Sequence, residues 1–367
     1  MAVDHRQCSL LAFALGASLA VATAAAPGAA KEIHWYTERC GPVDRPANAT
    51  LCAEAVEFAT VTNPALVDGI MPCCGMVEID CATGLLAYPL NSTQYDFSGF
   101  APFLAAGKAV TMTLQGTGGP TAGGACCASA DDCPMQAHKE ELAQQLLALA
   151  LKWKFTSFTG DWEWRNAGAF HFAGWNATMA HIASVLRPHG VGLGNGIVAG
   201  CTDGFHCRDD DPANTANTDP CCCPAYRATP WADVLSDMGS YAIGPGLPAW
   251  MKTGVKGHCP KHLLDPPVIE YCGWEGGLMN VLHSPRWPRR PNVAPALWIG
   301  ACDGSGTTAH GWTQPKLHAF LAFLDTQGMR RVGLWCMTDN GDPIGFPCHV
   351  ESCPWFYAEL EAWKARG

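Results

Sequence analysis

Eight short apolar segments, separated by longer stretches, set the strongest limit on how this chain of 367 residues folds. The segments are rich in β-branched residues, as strands are, and several of the stretches between them show helical spacing of apolar residues. Strands that alternate with helices in one chain predict a parallel sheet with crossover connections. Eight of them favour a single (β/α)8 barrel with loop insertions. The predicted strands are Ile33–Tyr36, Gly69–Met71, Ala109–Leu114, Phe155–Trp164, Val191–Val198, Met238–Ile243, Ala296–Gly300 and Arg331–Cys336.

Three of the intervening stretches carry helix signals. The longest spans 136–154, and we expect its leucines to crowd one side of the helix. Further helices are predicted over 175–186, capped by Asn176 or a residue beside it, and over 315–327, with Gly328 as the stop. A doubly wound sheet is the alternative arrangement, but no glycine-rich phosphate-binding loop follows the first predicted strand. The leucines of the first helix are Leu142, Leu146, Leu147, Leu149 and Leu151.

Composition limits the partners of this fold. Charged residues make up only 15% of the chain and the formal net charge is −10. No basic stripe is present to neutralise phosphates, so we expect no nucleic-acid partner. No low-complexity linker or internal repeat divides the chain, which predicts one catalytic domain over residues 31–367. We expect a monomer with no cofactor and no metal.

The cysteine content indicates whether the protein folds in an oxidising or a reducing compartment. Twenty cysteines is a density that reducing compartments rarely tolerate, so we predict disulfides whose connectivity the sequence does not reveal. Several are adjacent, as in Cys126-Cys127, whereas zinc sites favour cysteines two to four residues apart. A metal patch formed by Cys201, Cys207, His206 and Asp209 is the alternative interpretation of one cluster.

The amino-terminal segment has the outline of a signal peptide over residues 1–30. Arg6 precedes an apolar run from Ser9 to Ala26, and small residues offer cleavage sites between Ala24 and Ala30. A membrane anchor is the alternative, but the run barely reaches spanning length. We therefore expect a secreted, extracellular protein with no membrane association after cleavage. In a eukaryotic host it would be a glycoprotein, because sequons begin at Asn48, Asn91 and Asn176.

The fourth predicted strand ends in two acids. Because side chains alternate along a strand, one face would carry a polar row and the other face would carry aromatic residues that point toward the helices. A polar row inside a barrel costs free energy as structure and is typical of an active site. The polar row comprises Ser157, Thr159, Asp161 and Glu163, and the aromatic face comprises Phe158, Trp162 and Trp164.

The two acids would lie about 6.6 Å apart along the strand, at about 3.3 Å per residue. Like charges that close together raise one pKa, which would keep Glu163 protonated as a general acid beside an ionised Asp161. The alternative is a salt-bridged strand end facing Arg165 or Lys154, although that leaves the inward polar row unexplained.

These residues resemble the fourth-strand motif D-x-x-D-x-D-x-E of glycoside hydrolase family 18, the chitinases and their relatives. Phe155–Glu163 matches the usual frame F-D-G-I-D-x-D-W-E in its last Asp, its Trp and its Glu. Lys108–Gly116 is similar to the family's third-strand pattern, Met238-Gly239-Ser240-Tyr241 to the sixth-strand M-x-Y, and Gly333-Leu334-Trp335 to the eighth-strand Gly and Trp.

The resemblance implies hydrolysis of β-linked N-acetylhexosamine glycans by substrate-assisted retention. Glu163 would protonate the leaving oxygen, Asp161 would orient the acetamide N–H, and Tyr241 would hydrogen-bond the acetamide oxygen. Trp335 would stack under the −1 sugar, and Met238, Thr159 and Asp339 would complete the substrate-binding set.

The sequence departs from the motif at Thr156 and Thr159, which replace its first two aspartates. Ala242 stands where an Asp or Asn often follows the Tyr, and Gln115-Gly116 breaks the third-strand pattern. Three alternatives therefore stay open. They are a non-catalytic chitinase-like lectin, a two-glutamate retaining glycosidase that uses Glu163 with Glu270, and a secreted barrel that serves only as a scaffold.

Overall fold

The computed structural model describes residues 30–37, 64–72, 76–117, 126–127, 129–160, 171–197, 231–237, 293–299, 308–309, 312–326, 328–336 and 354–367. The strands are β1 Glu32–Thr37, β2 Gly69–Pro72, β3 Val77–Asp80, β4 Leu85–Leu86, β5 Ala109–Thr117, β6 Ser157–Gly160, β7 Gly192–Ile197, β8 Val234–Asp237, β9 Val293–Ile299, β10 Thr308–Ala309, β11 Trp312–Thr313 and β12 Arg331–Cys336. The helices are α1 Ala101–Ala105, α2 Pro134–Ala137, α3 Lys139–Trp153, α4 Phe172–Leu186, α5 Gln314–Thr326 and α6 Pro354–Ala365.

The architecture is mixed α/β with a central sheet. Eight strands pair in parallel, in the order β1, β2, β5, β6, β7, β8, β9, β12, and β12 pairs back onto β1. Each of these strands therefore has two parallel partners, so the circuit of pairings leaves none of the eight with an open edge. The hairpin β3–β4 extends the sheet beside the carboxyl half of β5, and β10–β11 form a separate small hairpin.

Alternation along β5 shows how the sheet divides two environments. Val110, Met112 and Leu114 are fully buried and belong to the hydrophobic core, whereas Thr111 and Thr113 occupy the other face. The core continues through α3, whose Leu142, Leu146 and Leu149 are fully buried. On β5, apolar side chains thus face the helices, and polar ones face the inside of the circuit.

Most predicted strands coincide with observed ones to within three residues at either end. β6 covers only the centre of the fourth predicted segment, because Phe155 and Thr156 precede it and residues 161–164 lie outside the described residues. The sixth strand, β8, begins at Val234, four residues before the predicted start at Met238. Its start is set by pairing with β7, where Val234 aligns with Gly194. The segment 238–243 itself lies outside the described residues.

Two details of the predicted helices were wrong. Leu151 is 56% exposed, unlike the other leucines of α3, because it lies about 200° around the helix from the buried Leu149. Helix α4 begins at Phe172, so Asn176 lies inside the helix and does not cap it. Asn176 Oδ1 instead accepts a hydrogen bond of 2.7 Å from Trp231 Nε1. The prediction for α5 is off by one residue, and Gly328 follows it at φ +69°.

Two disulfides lie within the described residues and confirm part of the cysteine prediction. Cys81, just after β3, is bonded to Cys126, and the neighbouring Cys127 is bonded to Cys133 at the start of α2. The Cys201–Asp209 cluster lies outside the described residues, as does the predicted leader up to residue 29. No helix in the described part of the chain is long and apolar enough to cross a bilayer.

In two separate pairs of adjacent strands, β1–β2 and β7–β8, an aspartate just before one strand fastens it to the other. Asp68, before β2, accepts the Ile33 amide at 2.8 Å and pairs with Lys364 Nζ at 2.6 Å. Asp233, before β8, accepts the Leu193 amide at 2.9 Å and pairs with Arg187 at 3.0 Å. Both carboxylates therefore satisfy a backbone donor of the adjacent strand and neutralise a cation from a helical element.

We expect Asp68→Ala to lower the free energy of unfolding by about 1–3 kcal/mol, because the Ile33 amide would lose its acceptor and Lys364 its counter-ion. Asp68→Asn retains an acceptor and should cost less. Denaturant unfolding measures both effects. Exposed Asp131→Ala is the matched control and should change stability by no more than about 0.5 kcal/mol. Equal stability of Asp68→Ala and the control would contradict the fastening role.

Candidate functional site

Polar side chains line the inside of the strand circuit on β5 and β6. Thr111 aligns with Ser157 and Thr113 aligns with Thr159. The hydroxyl oxygens of Thr111 and Ser157 lie 2.6 Å apart, so both side chains point into the same space. Phe158, between Ser157 and Thr159, is fully buried on the helix side, edge-on to Phe155. The predicted alternation is therefore confirmed for the described half of the row.

Thr159 is the innermost described member of this row and has an unusual environment. Its side chain is 3% exposed, and its Oγ1 has no hydrogen-bond partner among the described residues. The neighbouring Thr113 hydroxyl is already engaged, donating to Pro72 O at 2.9 Å and accepting from the Met76 amide at 3.2 Å. Because burial of a hydroxyl without a partner costs roughly 1–3 kcal/mol, a polar neighbour would stabilise Thr159.

Thr156, one of the two threonines that replace motif aspartates, has a structural role. Its Oγ1 accepts from the Val110 amide at 3.0 Å and donates to the Val110 carbonyl at 2.9 Å. Both groups belong to the start of β5, where this hydroxyl bridges the backbone as a neighbouring strand would. Both hydrogen bonds of the Thr156 hydroxyl are therefore made to the backbone of β5, and the side chain has a structural role.

The remaining predicted site residues lie at or beyond the carboxyl ends of three strands. β6 ends at Gly160, directly before Asp161, and β8 ends at Asp237, directly before Met238. β12 contains Trp335, whose backbone aligns with Tyr36 of β1 and Trp298 of β9. Because the three strands are parallel, the chain leaves the sheet at the same edge each time. Residues outside the described part of the chain are Asp161, Glu163, Met238, Tyr241, Asp339 and Glu270.

A cavity of about 630 Å³ opens at the opposite, amino-terminal edge of the circuit. It reaches inward past His34, Thr111 and Ser157 to Thr159. Reasoning from the sequence missed this cavity, because its lining comes from the first residues of strands that are distant in the chain. The only sequence signal was the polar row on the fourth predicted strand, which here forms one wall of the space.

Several charged groups at this mouth form ion pairs. Glu32 accepts from Arg331 Nε at 2.8 Å and lies 3.1 Å from His34 Nε2. Burial raises the pKa of Glu32, but the hydrogen bond from His34 and the charge of Arg331 outweigh it and leave the pKa below its usual value. Lys31 Nζ pairs with Asp325 at 2.5 Å and donates to Trp363 O at 3.0 Å. The Glu32–Arg331 pair joins the starts of β1 and β12, and the Lys31–Asp325 pair joins the residue before β1 to α5.

The described residues around the cavity offer hydrogen bonds and charge pairing, not metal coordination. No group of three or more His, Cys, Asp or Glu side chains in the described ranges is placed to hold a metal ion.

The disulfide cluster lies beside the point where the chain returns from residues 161–170 to α4. The His171 amide donates to the Cys127 carbonyl at 2.8 Å. Gly174, in the first turn of α4, is so close to this cluster that an added Cβ would lie 3.0 Å from Cys133 Sγ and 2.6 Å from Gln136 Oε1. The Cys127–Cys133 disulfide thus lies against the start of the helix that follows residues 161–170.

Neither a family model nor a curated protein sequence matches this chain. Solved chitinases do resemble it in structure. The chain aligns with the Group IV chitinase of Ostrinia furnacalis at a TM-score of 0.54 and 10% identity, covering 91% of this chain and 100% of that one. The chitinase of Chromobacterium violaceum aligns at 0.53 and 13% identity, covering 92% and 99%.

A third solved structure contains a sugar. It is catalytic domain 2 of the Ostrinia furnacalis Group II chitinase, a mutant in complex with penta-N-acetylchitooctaose. It aligns at a TM-score of 0.50 and 10% identity, covering 83% of this chain and 89% of that one. At these identities the likeness concerns the fold. The chain therefore has a chitinase-like fold.

Proposed function

We propose that this protein is a secreted glycoside hydrolase of the chitinase type that cleaves β-linked N-acetylhexosamine glycans. The observation that carries the proposal is the end of β6. This strand lies within the circuit of eight parallel strands, has its polar residues on the inside, and runs at Gly160 directly into Asp161-Trp162-Glu163. We interpret the circuit as a (β/α)8 barrel, whose chemistry belongs at the carboxyl ends of the strands.

Continuation of the β6 alternation supports an inward position for both acids. Ser157 and Thr159 face the interior and Phe158 faces the core, so positions 161 and 163 would face inward if the strand conformation continues. The two carboxyl groups would then share one side of the site. Their mutual repulsion would raise the pKa of one of them, which suits Glu163 for proton donation near neutral pH.

The proposed reaction is substrate-assisted hydrolysis with retention of configuration. Glu163 donates a proton to the leaving glycosidic oxygen while the carbonyl oxygen of the sugar's 2-acetamido group attacks the anomeric carbon. Asp161 accepts a hydrogen bond from the acetamide N–H and so orients the attacking carbonyl oxygen toward the anomeric carbon. Tyr241 donates a hydrogen bond to the acetamide oxygen. Water then opens the cyclised intermediate, with Glu163 accepting its proton.

The remaining proposed site residues bind the substrate. The indole of Trp335 would stack on the apolar face of the −1 sugar, and Met238 and Asp339 would line the subsites. Thr159 would lie beneath Asp161, where its buried hydroxyl could donate to that carboxylate. This hydroxyl carries no charge, so it holds Asp161 in place without the repulsion that an aspartate would add.

We also propose that residues 1–30 form a cleaved leader and that residues 31–367 form one catalytic domain. The two disulfides favour an oxidising compartment. A carbohydrate is the proposed partner, and the protein would act as an extracellular monomer without nucleic acid or membrane association.

A carbohydrate-binding protein without hydrolytic activity is the second candidate. It is favoured by the loss of the two motif aspartates, since Thr156 is committed to the backbone of β5 and Thr159 offers only a hydroxyl. A two-glutamate glycosidase would instead need Glu270 on the opposite side of the sugar, about 5–5.5 Å from Glu163.

The nature of the nucleophile provides the test. We expect hydrolysis of N-acetylglucosamine oligomers with retained anomeric configuration, no hydrolysis of matched glucose oligomers, and inhibition by a thiazoline analogue of the cyclised intermediate. The reason is that a sugar with a 2-hydroxyl lacks the positioned intramolecular reactant. Chromatography of the products and NMR of their anomers measure these outcomes.

Two other results would overturn this assignment. Efficient cleavage of glucose oligomers would favour the two-glutamate glycosidase. Binding of N-acetylglucosamine oligomers without cleavage, measured by calorimetry on the secreted protein, would favour the lectin.

A further inference from the structure

One of the sequons lies in an exposed turn. Asn91 follows the hairpin β3–β4, in a turn closed by the Ser92 amide donating to Pro89 O at 2.8 Å. Both Asn91 and Thr93, the hydroxyl residue of this sequon, are exposed. The sequon therefore presents its amide and its hydroxyl residue together at the surface.

The sequon at Asn176 has the opposite environment. Asn176 lies within α4, and its Oδ1 accepts from the indole of Trp231, which is 3% exposed. Thr178, its hydroxyl residue, is fully buried, and its Oγ1 donates to Gly174 O at 2.8 Å. A glycan on Asn176 would compete for the space that Trp231 fills, so a folded chain is expected to be unmodified there.

Exposed apolar side chains flank the turn at Asn91. Among the described residues, the large apolar side chains that are exposed are Tyr88, Leu90 and Leu151. Two of these precede Asn91 by no more than three residues, and each is 36% exposed. Tyr88 packs edge-on against Tyr95, at a centroid distance of 5.9 Å, which holds its ring beside the turn. Apolar side chains that cluster at a surface often mark a position that another molecule covers.

We propose that Asn91 carries an N-linked glycan whose first sugar covers Tyr88 and Leu90. The proposal rests on the secretion proposed above, because the reaction needs a lipid-linked oligosaccharide donor. In that transfer a bond forms between Asn91 Nδ2 and the anomeric carbon of the sugar, the bond from that carbon to the lipid pyrophosphate breaks, and the amide loses a proton. The glycan is bulky and solubilising, and the apolar face of its pyranose ring matches the exposed Tyr88 ring.

Expression of the full chain in a eukaryotic secretory cell line tests this. Glycopeptide mass spectrometry of the secreted protein should find Asn91 occupied and Asn176 unmodified. Asn91→Gln and Thr93→Ala should both remove the glycan, whereas Thr93→Ser, which preserves the sequon, should retain it. A parallel arm with a heterologous leader separates failure of secretion from failure of modification. Folded, secreted protein with Asn91 unmodified, or with Asn176 equally occupied, would overturn the proposal.

A separate measurement tests whether the glycan covers Tyr88 and Leu90. Enzymatic removal of the glycan should increase binding of an apolar fluorescent dye. In the double variant Tyr88→Ser with Leu90→Ser, removal of the glycan should leave dye binding unchanged. Leu151→Ser is the control, since it alters an exposed leucine distant in sequence from the sequon and should leave the increase intact. No increase on deglycosylation of the unaltered protein would show that the sugar does not cover these residues.

Discussion

Replacement of Glu163 by Gln is expected to lower kcat on N-acetylglucosamine oligomers by about 10²–10⁴-fold, the range typical of general acid–base catalysis. The amide is nearly isosteric with the carboxylic acid but has no acidic proton for the leaving oxygen. Oligomer binding should therefore survive. The expected pattern is a loss in kcat with little change in the dissociation constant, measured by steady-state kinetics and calorimetry.

The pH dependence of activity is a second test, because it would not change if Glu163 had only a structural role. In the unaltered enzyme, activity should fall at high pH as Glu163 loses its proton. The residual activity of Glu163→Gln should lack that limb. Glu270→Gln is the matched control, and it should retain activity in the proposed mechanism. Full turnover in Glu163→Gln, with loss in Glu270→Gln, would transfer the acid role to Glu270.

Removal of the Cys81–Cys126 disulfide should destabilise the protein more than removal of Cys127–Cys133. The two bonds close sequence separations of 45 and 6 residues. The loop-entropy relation then predicts losses of about 4 and about 2.4 kcal/mol in the free energy of unfolding. The double variants Cys81→Ala with Cys126→Ala and Cys127→Ala with Cys133→Ala isolate the two bonds, and denaturant unfolding measures the losses.

Reduction of the unaltered protein supplies the comparison. Treatment with dithiothreitol should lower its melting temperature sharply, and by more than either double variant, if further disulfides exist among the other cysteines. Thiol titration of the unreduced protein should find few free cysteines. An unchanged melting curve, together with mostly free thiols, would refute the disulfide prediction and reopen the metal interpretation of the cysteine clusters.

Local patterns in the sequence were sufficient to predict most of the eight parallel strands and, for the fourth of them, the face that its described side chains take. On β6 the alternation of Ser157, Phe158 and Thr159 gave the inward and outward sides correctly, because a strand turns successive side chains to opposite faces wherever it lies in a fold. The roles of Asp161, Glu163 and Tyr241 stay predictions from sequence and resemblance.

Local pattern failed where the deciding partner is distant in the chain. The start of β8 at Val234 follows from its pairing with β7, and the exposure of Leu151 follows from which side of α3 packs on the core. Asn176 reads as a helix cap in sequence, yet the Trp231 indole engages it from 55 residues away. Each outcome depends on a contact that exists only after the elements pack.

What the sequence determined by itself is most of the eight parallel strands, three of the described helices, the polar inside of β6 and the oxidised state expected of its cysteines. The tertiary structure alone decided that the hairpin β3–β4 pairs beside β5, that Cys81 bonds Cys126, and that Asp68 meets Lys364 across 296 residues of sequence. The physical reason is that periodicity encodes the direction of a side chain relative to its own backbone. Which residue that side chain contacts depends on how the whole chain packs.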